Sequence, residues 1–140
     1  MRTGLRLDDV GGFLDEPIVA VLATYRKDGS VLLSPVWHEW RDGGFQIWTG
    51  SSDVKTRHLR RDPRASVLVA ESDIPLRGVE VRGEPVIVTE GAVEAAERIA
   101  GRYLGAERGA EYVRTVGGND VIIRLEPGEL RVWDFVDEYE

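Results

Sequence analysis

The chain has 140 residues, 42% of them apolar and 31% charged, with a net charge of -7, the balance of one folded domain with a real core rather than of a disordered segment. It holds no cysteine and two histidines, which excludes disulfides, thiolate chemistry and Cys-based zinc sites, and no metal-ligand spacing surrounds His38 or His58. The acidic balance argues against broad binding to nucleic-acid backbones, and with no run of ~18 apolar residues and no basic, apolar leader we expect a cytoplasmic protein outside any membrane.

Residues 6–14 predict a short helix with Leu7, Val10 and Leu14 on one face, weakened by Gly11 and Gly12 and ended by Glu16-Pro17. Ile18 to Thr24 is an almost unbroken apolar, β-branched run and predicts a strand buried on both faces. Asp28-Gly29 marks a hairpin turn into a second strand over 30–40, and Asp42-Gly43-Gly44 turns the chain into a third over 45–49, giving a three-stranded meander. Ser51 to Arg64 then concentrates five of the eighteen basic side chains. This segment predicts a helix with Ser51 or Ser52 as N-cap, Asp53 in the first turn and a stop at Asp62-Pro63.

Strands follow over 64–71 and, longer, over 78–89, where Gly83 marks a bulge or bend. Residues 90–104 predict an amphipathic helix carrying Val93, Ala96, Ile99 and Ala100, and 106–113 another short one. The last strands run over 121–125 and 129–135, parted by Glu126-Pro127-Gly128. No linker or repeat interrupts this order, so residues 1–140 are expected to be one domain, with the barrel over about 18–135. Six to seven short strands with brief helices between them predict a mainly β, α+β fold: an antiparallel barrel with short helices on its outside. An OB-fold fits the strand count, but its nucleic-acid face needs basic and aromatic residues interleaved on the strands. Here the basic cluster sits on a helix.

The corner before that helix has the ingredients of a phosphate cradle: free amides and the positive dipole end of a helix, the hydroxyls of Thr49, Ser51 and Ser52, and Lys55 one turn in. Arg57 could add bidentate contacts. The competing reading is a solvated charged surface with no ligand. No Gly-x-Ser-x-Gly elbow or triad can be assembled, and no residue is identified as a general acid or base.

The order Ile18 to Thr24, Asp28-Gly29-Ser30, Pro35-Val36-Trp37 and Lys55 to Arg64 resembles the split-barrel flavin and deazaflavin oxidoreductases, the superfamily of pyridoxamine phosphate oxidase. Within it, the chain is similar to the branch that uses the deazaflavin coenzyme F420. Leu76-Arg77-Gly78-Val79 through Gly83 and Arg131-Val132-Trp133-Asp134 extend the likeness over about residues 13–135. The resemblance implies an FMN-binding type of split barrel, a homodimer, and two cofactor sites in grooves between subunits. It implies that Lys55 and Arg57 pair with the cofactor's phosphate at the corner from Thr49 through Arg57, which includes Ser51 and Ser52. It also implies that Pro35, Val36 and Trp37 line the groove near the ring and that Trp133 and Asp134 face the partner's cofactor.

Two positions depart from the pattern. His58 stands where relatives often carry Asn, and the chain runs Phe135 to Glu140 with acidic residues where relatives frequently place a basic one. Trp37 alternatively fills the barrel or the dimer interface, and Leu76-Arg77-Gly78 alternatively forms only a turn. Arg60, Arg61 and Arg64 point at different angles, as plain surface or as partners of Asp134, Asp137, Glu138 and Glu140. The implied activity is hydride transfer from reduced F420 to a small conjugated acceptor. The alternatives are an FMN-binding oxidase-like protein, a non-catalytic carrier of a flavin or tetrapyrrole, and an acidic interaction domain with no ligand.

Overall fold

A computed structural model of the chain describes residues 1–139. The chain begins with two 3-10 turns, Leu7–Val10 and Phe13–Asp15, in place of the single helix expected over 6–14. Gly11, at φ 63°, separates them in a conformation that a helix cannot contain. Strands β1 (Ala20–Tyr25) and β2 (Val31–Val36) pair antiparallel across the Asp28-Gly29 turn. β3 (His38–Arg41) and β4 (Gly44–Gly50) pair across Asp42-Gly43, both at positive φ as a tight two-residue hairpin loop requires.

These four strands are not the continuous meander the sequence suggested. The expected strand over 30–40 breaks at Trp37, and the chain passes there from one sheet to the other. The basic segment forms α1 (Val54–Arg61), whose N-cap is Asp53 rather than Ser51 or Ser52. β5 (Ala65–Ala70) and β6 (Gly78–Gly83) follow, and the expected long strand over 78–89 ends at Gly83. Pro85 has no amide to give to a ladder, so a separate strand, β7 (Val86–Val88), resumes in the other sheet. Helices α2 (Ala92–Leu104) and α3 (Ala106–Val116), strands β8 (Asp120–Leu125) and β9 (Glu129–Trp133) and a last helical turn, α4 (Val136–Tyr139), complete the described chain.

The two antiparallel sheets have orders β2-β1-β5-β6-β9 and β3-β4-β8-β7. They face each other without closing into one sheet, an open split barrel with helices at its periphery. Phe13, Leu22, Phe45, Ile47, Val67, Val69, Val79, Val81, Ile123 and Leu125 fill the space between them. β1 was expected to be buried on both faces, but only alternate residues are: Ala20, Leu22 and Thr24 point inward, while Val21 and Ala23 are half-buried on an outer face.

On the outside of the four-stranded sheet lies the hairpin of α2 and α3. Ala92, Ala95 and Ile99 pack on Ile122, with Trp37, Trp48 and Val88 at the margin. The two helices approach closely at Gly109, where a Cβ atom would stand 2.5 Å from the Gly101 amide nitrogen. Among the described residues no helix is long and apolar enough to cross a membrane.

Candidate functional site

Ladder register decides what meets at one end of the four-stranded sheet. Thr49 and Gly50 at the end of β4 lie opposite Val121 and Asp120 at the start of β8, and the Ser51 amide donates to the Asn119 carbonyl at 2.8 Å. The corner into α1 is therefore tied to the turn out of α3. Between them and the end of β2 opens a cleft of about 680 Å³. Pro35, Val36 and Trp37 form one side, Thr49, Gly50, Ser52, Asp53 and Lys55 the corner, and Tyr112 and Val116 of α3 overhang it. Trp48, Gly117 through Asp120 and Val19 complete the lining.

The apolar wall is aromatic. Trp37 stacks on Tyr103 with ring centroids 4.9 Å apart and planes 8° from parallel. Trp48 meets Trp37 at 6.5 Å and Tyr112 at 5.9 Å, the latter edge-on, geometries favoured by the ring quadrupoles. Tyr103 is itself held: its hydroxyl donates to the Ile18 carbonyl at 2.9 Å and accepts from the His38 amide at 3.2 Å. The Trp48 indole N–H donates to Asp120 Oδ1 at 2.7 Å, so this ring edge is fixed as well.

The polar corner is organised around Asp53. One oxygen, Oδ2, accepts from the Thr49 hydroxyl at 2.6 Å, the Gly50 amide at 3.2 Å and Lys55 Nζ at 3.2 Å. The Thr49 bond above all, then the Gly50 amide and Lys55, keeps this carboxyl below the usual carboxylate range. The Asp53 side chain makes no capping bond to the first turn of α1. Thr56 donates to the Gly50 carbonyl at 2.8 Å and closes the corner from beneath.

Of the residues expected in a site, Pro35, Val36, Trp37, Thr49, Ser52 and Lys55 line this cleft. Ser51 does not: Arg60 binds both its carbonyl, at 2.7 Å, and its hydroxyl, at 2.8 Å. Arg57 is exposed on α1 outside the lining. Trp133 and Asp134 lie at β9, the edge of the five-stranded sheet opposite β2. Asp134 is 1% exposed and engaged by the Arg2 guanidinium through both carboxylate oxygens, with Nε at 2.7 Å. Trp133 packs against Gly78 beneath the guanidinium of Arg131.

Among the described residues, the arginines in and just after α1 do not reach Asp134, Asp137 or Glu138; Glu140 lies outside the described residues. Arg61 binds the Tyr25 carbonyl, and Arg64 pairs with Asp62 at 2.7 Å while lying over the Tyr25 ring. The N-terminal ammonium pairs instead with Asp137 and Glu138. Neither histidine faces the cleft. His58 Nδ1 shares a hydrogen bond of 3.0 Å with the Thr24 hydroxyl in the buried layer under α1. His38 is fully buried, with Nε2 3.0 Å from the Ile18 carbonyl.

Sequence reasoning missed Trp48, Tyr112, Asp120 and the Gly117-Gly118-Asn119 turn. Gly-Gly-Asn-Asp was visible as a turn signal, but its neighbour in space was not, because that depends on the pairing of β4 with β8.

Residues 8–134 match the pyridoxamine 5'-phosphate oxidase family, and the chain belongs to it. A conserved hypothetical protein from Mycobacterium tuberculosis is 27% identical, with a TM-score of 0.82 over 96% of this chain and 88% of that one. An F420 reductase superposes with a TM-score of 0.61 at 23% identity over 85% of this chain and 93% of its own. An FAD-binding protein from Mesorhizobium loti gives 0.67 at 19% identity over 94% and 93%. At these last two identities the likeness is one of fold.

Proposed function

We propose that the protein is an oxidoreductase that binds coenzyme F420 in this cleft and passes a hydride to a small conjugated acceptor. The observation that carries the reading is the pairing, within one cleft, of an aromatic wall with a polar corner. A planar ring needs the first and a phosphate the second, and the ladder between β4 and β8 holds the two together. The Gly50 amide, the Thr49 hydroxyl and Lys55 already converge on an anionic oxygen, that of Asp53, and suit a phosphate oxygen equally well. Ser52 adds an exposed hydroxyl. An F420 reductase shares the fold.

When bound, the deazaflavin supplies a ring carbon that gives or takes a hydride. The chain's part is positional. Trp37, buttressed by Tyr103, and Trp48, pinned through Asp120, offer a rigid wall for the ring or for a stacked acceptor. Tyr112 and Val116 line the cleft from α3 and bound the space in which an acceptor could lie. FMN is the second ligand this corner suits, since it too joins a planar ring to a phosphate, and the family to which the chain belongs carries the name of an oxidase.

The second copy belongs to the same reading. The outward side of β1 and β2 is apolar: Leu33 is 64% and Val31 43% exposed, and the register sets Ala23 and Val21 opposite Leu33 and Pro35. Val19 and Pro35 belong both to this face and to the cleft lining. A homodimer formed through it would make the cleft an intersubunit groove, where Trp133 and Asp134 of each chain become candidates for the other's cofactor.

The test is a titration of the purified protein with oxidised F420 and with FMN, followed by ligand fluorescence, for the parent and Lys55→Ala. Tighter binding of F420, weakened about tenfold or more by the substitution, is the expected result. Equal affinity of parent and variant would remove the phosphate from this corner.

A further inference from the structure

The balance of charge in the cleft is unusual for a phosphate site. Its lining contains one cation, Lys55, and two carboxylates, Asp53 and Asp120; Tyr112 is the remaining titratable side chain there. The arginines in and just after α1 do not correct this balance, because Arg57 lies outside the lining and Arg60, Arg61 and Arg64 are engaged by Ser51, Tyr25 and Asp62. Asp120 is fixed at the far wall by the Trp48 indole and accepts from the Gly118 amide at 3.2 Å. Asp53 is different: it sits on the donors themselves. Any phosphate that uses Lys55, the Thr49 hydroxyl and the Gly50 amide lies beside a carboxylate or displaces it.

The burden this places on a ligand depends on the ligand's charge. A terminal phosphomonoester carries close to two negative charges at neutral pH, a phosphodiester one. Both gain the same donors, but the monoester adds a second unit of repulsion against Asp53 at a few ångströms. Resting on the placement of the phosphate proposed above, we propose that Asp53 is a specificity residue, a charge filter that admits a singly charged phosphodiester linkage and disfavours a doubly charged terminal phosphate. The Thr49 hydroxyl bond lowers the Asp53 pKa further below the usual carboxylate range, so the carboxylate carries its charge at pH 7.5 and at pH 5.5 alike.

The experiment measures dissociation constants of FMN, F420 and riboflavin for the parent, Asp53→Asn and Lys55→Ala at pH 7.5, and of FMN again at pH 5.5. Asp53→Asn is expected to tighten FMN about tenfold at pH 7.5, with a change under about threefold for F420 and none for riboflavin. The parent is expected to bind FMN more tightly at pH 5.5, below the phosphate's second ionisation at about 6, and the variant to lose most of that gain. If Asp53→Asn weakens FMN and F420 alike, Asp53 is an organiser of the corner and the filter is overturned. The same holds if FMN binding by the parent does not respond to pH. Lys55→Ala separates the two levels: loss of phosphorylated ligands there with no discrimination by Asp53→Asn removes the filter alone. No effect of Lys55→Ala removes the phosphate placement and the filter with it.

Discussion

His38 shows at the scale of one side chain how burial sets a pH limit on the fold. Enclosure in the core and the nearby Arg102 push its pKa from 6.5 down to about 4, and its Nδ1 has no partner among the described residues. Between those pH values the unfolded chain binds more protons than the folded one, so stability rises with pH across the window. The contribution is complete above 6.5 and is lost as pH falls toward 4, roughly 3 kcal/mol in all. Glu71, held by Arg77, and Asp134, held by Arg2, titrate below their usual values and extend the loss to lower pH. Urea midpoints at pH 7 and pH 4.5 are expected to show this fall in the parent and a much flatter response in His38→Phe; parallel profiles would contradict it. Gly78 gives a second prediction, since a Cβ atom there would overlap the Trp133 ring. Gly78→Ala is expected to destabilise by about 1–3 kcal/mol as the indole is forced aside, read from the same denaturation curves. Pro35 entered only through the family resemblance, whereas Lys55 and Thr49 were legible in the sequence because both sit in the local pattern of the corner before α1. Trp48 and Asp120 were not, because their hydrogen bond spans 72 positions and no local pattern records it.

Elements were read best where punctuation is chemical. Asp28-Gly29 and Asp42-Gly43 gave both hairpins, and Asp62-Pro63 gave the end of α1. Errors arose where a strand changes sheets: apolar periodicity continues through Trp37 and nearly through Glu84-Pro85, although the hydrogen-bond partner changes at each. The N-cap was misplaced for a related reason. Ser51 and Ser52 fit the residue preference, but Arg60 takes Ser51, and Asp53 supplies the turn geometry. The hairpin of α2 and α3 is the element whose closeness matters most to the cleft, since it carries Tyr112 and Val116. Gly109→Val would drive a side chain into the backbone at Gly101, separating the helices at a cost of about 1–3 kcal/mol. Lower thermal stability together with weaker coenzyme binding is expected. Loss of stability with unchanged affinity would show that α3 does not shape the site.

For the whole molecule, the sequence carried the class of fold and missed its division into two sheets of five and four strands. The apolar outer face of β1 and β2 was hidden for a simple reason: a strand buried on both sides and one with an exposed apolar face read alike. Leu33→Asp is expected to turn a dimer into monomers in sedimentation velocity at micromolar concentration and to weaken coenzyme binding with it, whereas a parent that sediments as a monomer would rule out the intersubunit groove. The central claim, that the aromatic wall and the Lys55 corner together form the coenzyme site, is tested most directly by the four indole N–H signals in a nitrogen-15 NMR titration with oxidised F420. Trp37 and Trp48 are expected to shift in step with saturation while Trp40, half-buried against Phe45 of the core and outside the cleft lining, stays in place, and Trp133 is expected to shift in the dimer alone. Saturation with Trp37 and Trp48 unmoved would place the coenzyme elsewhere and contradict the account.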